Sequence, residues 1–127
     1  MLNAALAILF VALAVLHIVP AFAAVRPQRL AVMYGVRSDD AVLLTLLQHR
    51  AVLLGIVGLL MLAGAVHAEL RWFCLVFATL SMASFLVIAR QRGTQTGPLV
   101  TIYRADQAGM IVAAVTALLM LVFGRGG

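Results

Sequence analysis

Four long apolar runs limit this chain to very few folds. They extend over residues 2–25, 41–66, 70–89 and 98–123, approximately. A helix needs about 20 apolar residues to cross the hydrocarbon of a bilayer, and each run reaches that length. Within hydrocarbon every backbone amide and carbonyl must be satisfied inside the segment, so such runs form helices. The sequence therefore predicts an all-α protein, with residues 1–127 forming one integral membrane domain, a bundle of four transmembrane helices.

The composition excludes a soluble domain and several kinds of site. Hydrophobic residues make up 65% of the chain and charged residues 10%, whereas about a quarter of a soluble domain is charged. All nine basic residues are arginines at the ends of apolar runs or within them. They do not form the soluble basic patch that nucleic acid binding requires, so we expect no nucleic acid partner. Cys74 is the single cysteine, so no disulfide and no thiolate metal site is predicted.

The boundaries of the runs carry helix start signals. Residues 38–40, a serine and two aspartates, precede the second run and are good N-caps. Pro98 suits the first turn of the fourth helix. The stretch "AFAA" at residues 21–24 is typical of a signal-peptidase site, but no basic residue precedes Arg26. We therefore expect the first run to remain in the mature chain as a membrane span.

The arginine distribution predicts an orientation. The first-to-second and third-to-fourth connections lie on one side of a four-span chain and carry Arg26, Arg29, Arg37, Arg90 and Arg92. The other side, with both termini and the second-to-third turn, carries only Arg71 and Arg125. Positively charged short loops stay in the cytoplasm, so both termini are predicted outside. The arginines are also placed to contact anionic lipid head groups of the bilayer.

Polar residues interrupt three of the four runs at one predicted depth. They are His17 in the first run, Gln48, His49 and Arg50 in the second, and Tyr103, Arg104, Asp106 and Gln107 in the fourth. At 1.5 Å of rise per residue, all of them lie about 7 to 16 Å from the cytoplasmic side. The sequence therefore predicts a single polar layer inside the bundle.

Two interpretations of this layer remain open. Charges within spans cost several kcal/mol unless they are paired or hydrated, and they are functional candidates for that reason. Asp106 is the only acidic residue within a predicted span, and Arg50 and Arg104 are its available partners. Alternatively, the arginines extend to the interface and only fix helix depth. Pro20 removes an amide donor next to His17, so we expect a bend that opens space there.

The functional interpretation is a pocket for a small lipophilic molecule, such as a quinone, an isoprenoid or a sterol-like compound. His17, His49, Arg50 and Asp106 are the candidate catalytic residues, because histidine and carboxylate exchange protons and arginine stabilises negative charge. Gln48, Tyr103, Arg104 and Gln107 are the candidate pocket residues. Two alternatives stay open, a small dimeric proton-coupled transporter and a membrane accessory or assembly subunit without chemistry. No cofactor is predicted, with haem ligation by His17 and His49 as a further alternative.

Small residues recur every four positions on two helices. Gly109, Ala113 and Ala117 form one such face on the fourth helix, and Ala51 and Gly55 form one on the second. Faces of this kind allow close helix contact. They serve either the packing of one bundle or a homodimer.

Four stretches carry a resemblance to a known family. "HIVP", "MYGV" followed by "DD", "LLQHRAVLLGIVG" and "YRADQAG" resemble small bacterial four-helix membrane proteins of unassigned activity that are loosely similar to DoxX-like proteins. The resemblance covers most of the chain and implies a four-helix fold in the bacterial inner membrane, with His17, His49, Arg50 and Asp106 at matching positions. Some members are labelled phosphopantetheine adenylyltransferase, but this chain has no Gly-rich phosphate loop and no HxGH motif. The resemblance therefore implies a fold and a location without an activity.

Overall fold

The computed structural model describes residues 1–37 and 39–123. Ser38, one of the predicted caps, and residues 124–127, which include Arg125, lie outside the described part. The described residues form five α-helices, which are α1 (Leu2–Ala21), α2 (Pro27–Tyr34), α3 (Ala41–Val66), α4 (Arg71–Arg92) and α5 (Val100–Phe123). Short 3-10 turns cover Phe22–Val25, Ala68–Leu70 and Gly97–Leu99, and the described residues form no strand.

The helices α1, α3, α4 and α5 are long and apolar enough to cross a membrane. The prediction of an all-α, multi-pass membrane protein is thus confirmed. The second run coincides with α3, and the first is divided between α1 and the 3-10 turn after it. The third run extends beyond its predicted end to Arg92, and a 3-10 turn containing Pro98 precedes α5.

The start of α3 is capped by one of the predicted residues. The backbone amide of Leu43 donates to Oδ1 of Asp40 over 2.9 Å, which satisfies one of the free amides of the first turn. Asp39 instead forms an exposed ion pair with Arg37, whose Nη2 lies 2.6 Å from the Asp39 Oδ2. The Arg37 guanidinium lowers the pKa of the Asp39 carboxyl below its ordinary value.

Glycines on α3 allow α1 to approach closely. A Cβ atom at Gly64 would lie 2.8 Å from the Phe10 ring, and one at Gly58 would collide with Ile18. Farther along, Gly55 faces Ala21. The α1 residue number rises as the α3 number falls, so the two helices are antiparallel. Because lipid tails compete with apolar side chains, contact between helices in a membrane depends on such close packing.

The core of the bundle and its outer surface are both apolar. Buried side chains from the four long helices form the core: Leu6, Phe10, Leu13, Ala14, Met61, Cys74, Leu75, Ala78, Met82, Ala113 and Met120. Large apolar side chains such as Ile8, Leu59, Leu80 and Ile111 are more than half exposed. A soluble monomer rarely exposes apolar patches on this scale. The outer surface therefore fits contact with lipid.

The connection between α1 and α3 contains the helix α2, which the pattern of four apolar runs did not predict. Pro27 stands at its first turn, where a missing amide donor costs nothing. Gly35 ends it in the left-handed conformation, and the Val36 amide donates to the Ala31 carbonyl over 2.9 Å. Leu30 is fully buried and packs with Tyr34 and residues of α3. α2 is thus an integral part of the bundle.

Contacts at the two ends show how the helices alternate in direction. Near the N-terminus, buried Arg71 donates from Nη1 to the Asn3 Oδ1 over 2.9 Å and from Nε to the Gly64 carbonyl over 3.2 Å. These bonds join the ends of α1, α3 and α4. At the opposite end Gly35 packs against Pro98, so the end of α2 and the turn Gly97–Leu99 lie together. The five arginines that the sequence assigns to the first-to-second and third-to-fourth connections are therefore at one end of the bundle.

Candidate functional site

A cavity of about 610 Å³ lies between α1, α2, α3 and α5. Its volume is within the range of small-molecule sites, roughly 300 to 1,000 Å³. Most of its wall is apolar, and its polar members are His17, Tyr34, Arg50, Thr101 and Asp106. An apolar cavity with a few polar groups is the usual form of a binding site for a small molecule. We call it the first cavity.

His17 contributes a buried nitrogen without a partner. The side chain is 1% exposed, and Nδ1 lies 2.8 Å from the carbonyl of Leu13, one turn earlier. A carbonyl can only accept, so Nδ1 carries a proton and Nε2 of the neutral ring is an acceptor. Nε2 is enclosed and has no hydrogen-bond partner among the described residues. Such an atom costs about 1–3 kcal/mol, which a donor on a bound molecule or water offsets.

Arg50 is held by aromatic rings. Its guanidinium carbon lies 4.5 Å from the centroid of the Phe85 ring and 5.5 Å from that of Tyr34. Both distances are within the range of cation–π attraction. The ion pairs within the described part of the chain are Arg37–Asp39 and His67–Glu69, and neither includes Arg50. Its N–H groups are therefore free for a ligand or for water.

Asp106 is half-buried on α5 and shares the first cavity with Arg50. The structure does not bring it into a direct ion pair with Arg50 or Arg104, the two partners considered from the sequence. The charges of Arg50 and Asp106 both affect the pKa of Tyr34, on α2. Burial raises the pKa of the Tyr34 phenol above its ordinary value, Arg50 opposes that rise and Asp106 adds to it. At neutral pH Tyr34 is thus an O–H donor.

The structure brings three of the eight predicted polar residues to the first cavity, namely His17, Arg50 and Asp106. Gln48 is half-buried and donates from Nε2 to the carbonyl of Ala24 over 2.8 Å, which fastens the turn after α1 to α3. The other four predicted residues are absent from the wall. His49, Arg104 and Gln107 are exposed and Tyr103 is half-buried. His17 and His49 therefore do not share this cavity.

Residues from α2 complete the wall and were not predicted. Tyr34 and Met33 line the first cavity, and the ring of Phe85 on α4 contacts the Arg50 guanidinium. The spacing of Leu30 and Tyr34, four residues apart, is a helical signal that could have found α2. Pro20 also lines the cavity, one turn beyond Leu16 and next to His17.

The small-residue faces lie against neighbouring helices of the same chain. Ala51 and Ala113 are buried, and Gly109 is buried against Met82 and Leu16. A Cβ atom at Gly55 would lie 3.0 Å from the Cβ of Ala21. The faces thus serve packing within the bundle, and their use in a homodimer stays a prediction.

The polar groups of the first cavity suit the head of an amphipathic molecule. The Nε2 of His17 and the carboxylate of Asp106 accept hydrogen bonds, whereas Arg50 and Tyr34 donate them. Histidine and carboxylate are also the side chains that most often exchange protons with a bound group. Groups of three or more His, Cys, Asp or Glu side chains that could hold a metal are absent from the described residues.

Comparison with known proteins gives no match to a family model, to a curated protein or to a solved structure. The resemblance to DoxX-like proteins therefore stays a prediction.

Proposed function

We propose that the protein is a multi-pass protein of the bacterial inner membrane that binds a small lipophilic molecule in the first cavity. The observation that supports this most directly is the buried Nε2 of His17, which has no partner among the described residues and belongs to the cavity wall. Arg50 and Asp106 stand on the same wall without a direct ion pair. Three polar groups left open at one place favour a ligand over a purely structural role.

The charges of the wall favour a neutral ligand. Arg50 and Asp106 offset one another, and His17 is neutral when its Nε2 is an acceptor. A hydroxyl on the ligand would donate to His17 or Asp106, while an oxygen of the same head group accepts from Arg50. Isoprenoid alcohols, quinols and sterols have such a head on an apolar body. They match a cavity whose wall is mostly apolar.

The same arrangement supports proton exchange with the bound head group. The His17 imidazole or the Asp106 carboxylate would take the proton of a hydroxyl, and Arg50 would stabilise the negative charge that develops. A pocket that only binds needs the hydrogen bonds and not the proton transfer. The binding function is therefore the conclusion, and a reaction would be an addition to it.

Ligand binding by the purified protein tests the proposal. Farnesol, a short-chain quinol and cholesterol are titrated in detergent, and binding is followed by thermal stabilisation. His17→Leu should weaken binding of the recognised compound about tenfold or more, because a hydrogen bond to a buried group is lost. His49→Leu is the matched control, since His49 is exposed and absent from the wall.

Two results would contradict the proposal. Equal binding by His17→Leu and the unaltered protein would remove His17 from the site. Equal binding of farnesol and its hydrocarbon, which lacks the hydroxyl, would show that the polar groups recognise nothing.

We also propose that the arginine-rich end of the bundle faces the cytoplasm. The contact between Gly35 and Pro98 supports a common side for the two long connections. Arginines in short connections favour the cytoplasmic side. On this orientation the first cavity lies in the cytoplasmic half of the membrane.

A further inference from the structure

Arg50 also lines a second cavity, of about 420 Å³, on the face of α3 that meets α4. The first and second cavities share Arg50 and Leu54. Tyr34 belongs to the first wall and Phe85 to the second, and the Arg50 guanidinium contacts both rings. The guanidinium therefore stands between the two cavities and can serve either of them.

The second cavity differs from the first in charge. Among the described residues, Arg50 is the only charged member of its wall, and the other polar members are Ser81, Ser84 and Thr94. The Ser84 hydroxyl donates to the carbonyl of Ser81 over 3.0 Å, so it remains able to accept but does not offset a positive charge. In the part of the chain that the structure describes, Arg50 is in no direct ion pair, and the Asp106 carboxylate, which shares the first wall with it, is absent from the second wall. An anion in the second cavity would therefore be a direct partner for the guanidinium.

We propose that the second cavity binds the oxyanion head of an acyl-chain amphiphile, with Arg50 as its ligand. The planar guanidinium can donate two parallel hydrogen bonds to a carboxylate or a phosphate. The guanidinium carbon lies 4.5 Å from the centroid of the Phe85 ring, and this cation–π contact does not use the N–H groups as hydrogen-bond donors to an oxyanion. Leu53, Val57 and Ile88 give the rest of the wall an apolar character that suits the methylenes next to the head.

Sharing of Arg50 makes the two cavities interdependent. An oxyanion in the second cavity takes the donors that a ligand of the first cavity needs. Occupancy of one site therefore weakens the other, and the coupling is equal in both directions. This coupling rests on the function proposed above, whereas the second site itself does not.

Native mass spectrometry of the detergent-solubilised protein tests the second site with oleate and oleyl alcohol as probes. At mildly alkaline pH, oleate should bind about tenfold or more tightly than the alcohol, because only the carboxylate forms a charge-assisted hydrogen bond with Arg50. Ser84→Leu and, independently, Ile88→Trp fill the second cavity and should weaken oleate binding about tenfold. Ala105→Leu is the control, since Ala105 lines only the first cavity. Arg50→Gln should abolish the preference for oleate.

Results that differ from these expectations overturn either the second site, its acyl-chain ligand or the coupling between the two cavities. If Ala105→Leu weakens oleate binding and neither Ser84→Leu nor Ile88→Trp does, the carboxylate occupies the first cavity. The second site is then wrong, while the proposed function stands. If all three variants bind oleate unchanged, oleate lies on the outer surface and the second site is wrong. Displacement of oleate by millimolar inorganic phosphate would show a free-anion site and overturn the acyl-chain assignment. If oleate binds in the second cavity without weakening the binding of farnesol in the first, only the coupling is wrong.

Discussion

Gly35 and Pro98 meet with no room for a side chain between them. A Cβ atom at Gly35 would lie 2.5 Å from the Cγ of Pro98, and Gly35 has a φ of 62°. This contact joins the end of α2 to the turn before α5. Tyr34, the neighbour of Gly35, and Pro98 both line the first cavity, so the Gly35–Pro98 contact joins two parts of its wall.

Gly35→Ala should destabilise the protein by more than the left-handed backbone alone explains. An alanine in that conformation costs about 1–2 kcal/mol, and the collision with Pro98 adds about 1–3 kcal/mol of overpacking. Gly93 is the matched control because it also ends a helix with a positive φ, of 66°, but a Cβ atom there would meet nothing within 4 Å. We expect Gly93→Ala to show the backbone cost only. If Gly35→Ala and Gly93→Ala lose the same thermal stability in detergent, the contact with Pro98 adds no energetic cost.

Arg71 should be a stabilising residue at the end opposite the first cavity. Its guanidinium is buried and bonds both Asn3 and the Gly64 carbonyl. Arg71→Met keeps much of the bulk but removes both bonds, and about 1–3 kcal/mol of stability should be lost. Arg92→Met, at an exposed position, should change stability by about 0.5 kcal/mol or less.

The partner of Arg71 provides a second check on this assignment. Asn3→Ala should cost less than Arg71→Met, because Arg71 keeps its bond to Gly64. The double variant should be little worse than Arg71→Met alone, since the two residues share one interaction. Thermal unfolding of the unaltered protein, the two single variants and the double variant measures these losses of stability. If the losses of the two single variants add up to that of the double variant, the Asn3–Arg71 bond is absent in solution.

The parts of the fold that were predicted depend on local sequence. Apolar runs of membrane-spanning length identified the four long helices, and the cap of α3 followed from the short side chain of Asp40, which reaches an amide three residues on. α2 was missed because a run of eight residues flanked by arginines, with Pro27 at its start, has too few apolar positions to stand out. Its helix is stabilised by tertiary contacts of Leu30 and Tyr34 with α3.

The site was predicted only in part, for a related reason. Depth along a helix follows from residue counting and places His17, Arg50 and Asp106 in one layer. Direction around the helix depends on which neighbours each face meets, and that is not local information. His49 is adjacent to Arg50 in the chain, yet it is exposed while Arg50 meets Tyr34 and Phe85. Low hydrophobic contrast around a lipid-exposed helix gives little indication of which face points inward.

Cysteine labelling tests the proposed orientation. Thr96 and Glu69 are exposed residues of connections at opposite ends of the bundle. A membrane-impermeant thiol reagent applied to intact cells should label Glu69→Cys and should reach Thr96→Cys only after permeabilisation. The unaltered protein is the control, because its single cysteine, Cys74, is 1% exposed and should not react. Labelling in the reverse order would place the arginine-rich end outside and overturn the assignment.

Titration of Tyr34 tests whether Arg50 and Asp106 act on the same part of the first cavity. The chain has two tyrosines, so a Tyr103→Phe background isolates Tyr34, and its phenolate is followed by ultraviolet absorbance. Burial raises the Tyr34 pKa above the ordinary value of 10.0, Arg50 lowers it and Asp106 raises it. Relative to this background, Asp106→Asn should therefore lower the pKa and Arg50→Gln should raise it.

The same shift determines how stability should depend on pH. The phenol is protonated in both the folded and the unfolded chain below the ordinary pKa of 10.0, so Tyr34 causes no change of stability in that range. Above it the unfolded chain loses the proton first, and stability should fall as the pH rises through the raised folded pKa. Asp106→Asn should reduce this alkaline loss and Arg50→Gln should enlarge it. A Tyr34 pKa that neither variant moves would show that the two charges lie apart from the phenol, and the shared polar site would have to be abandoned.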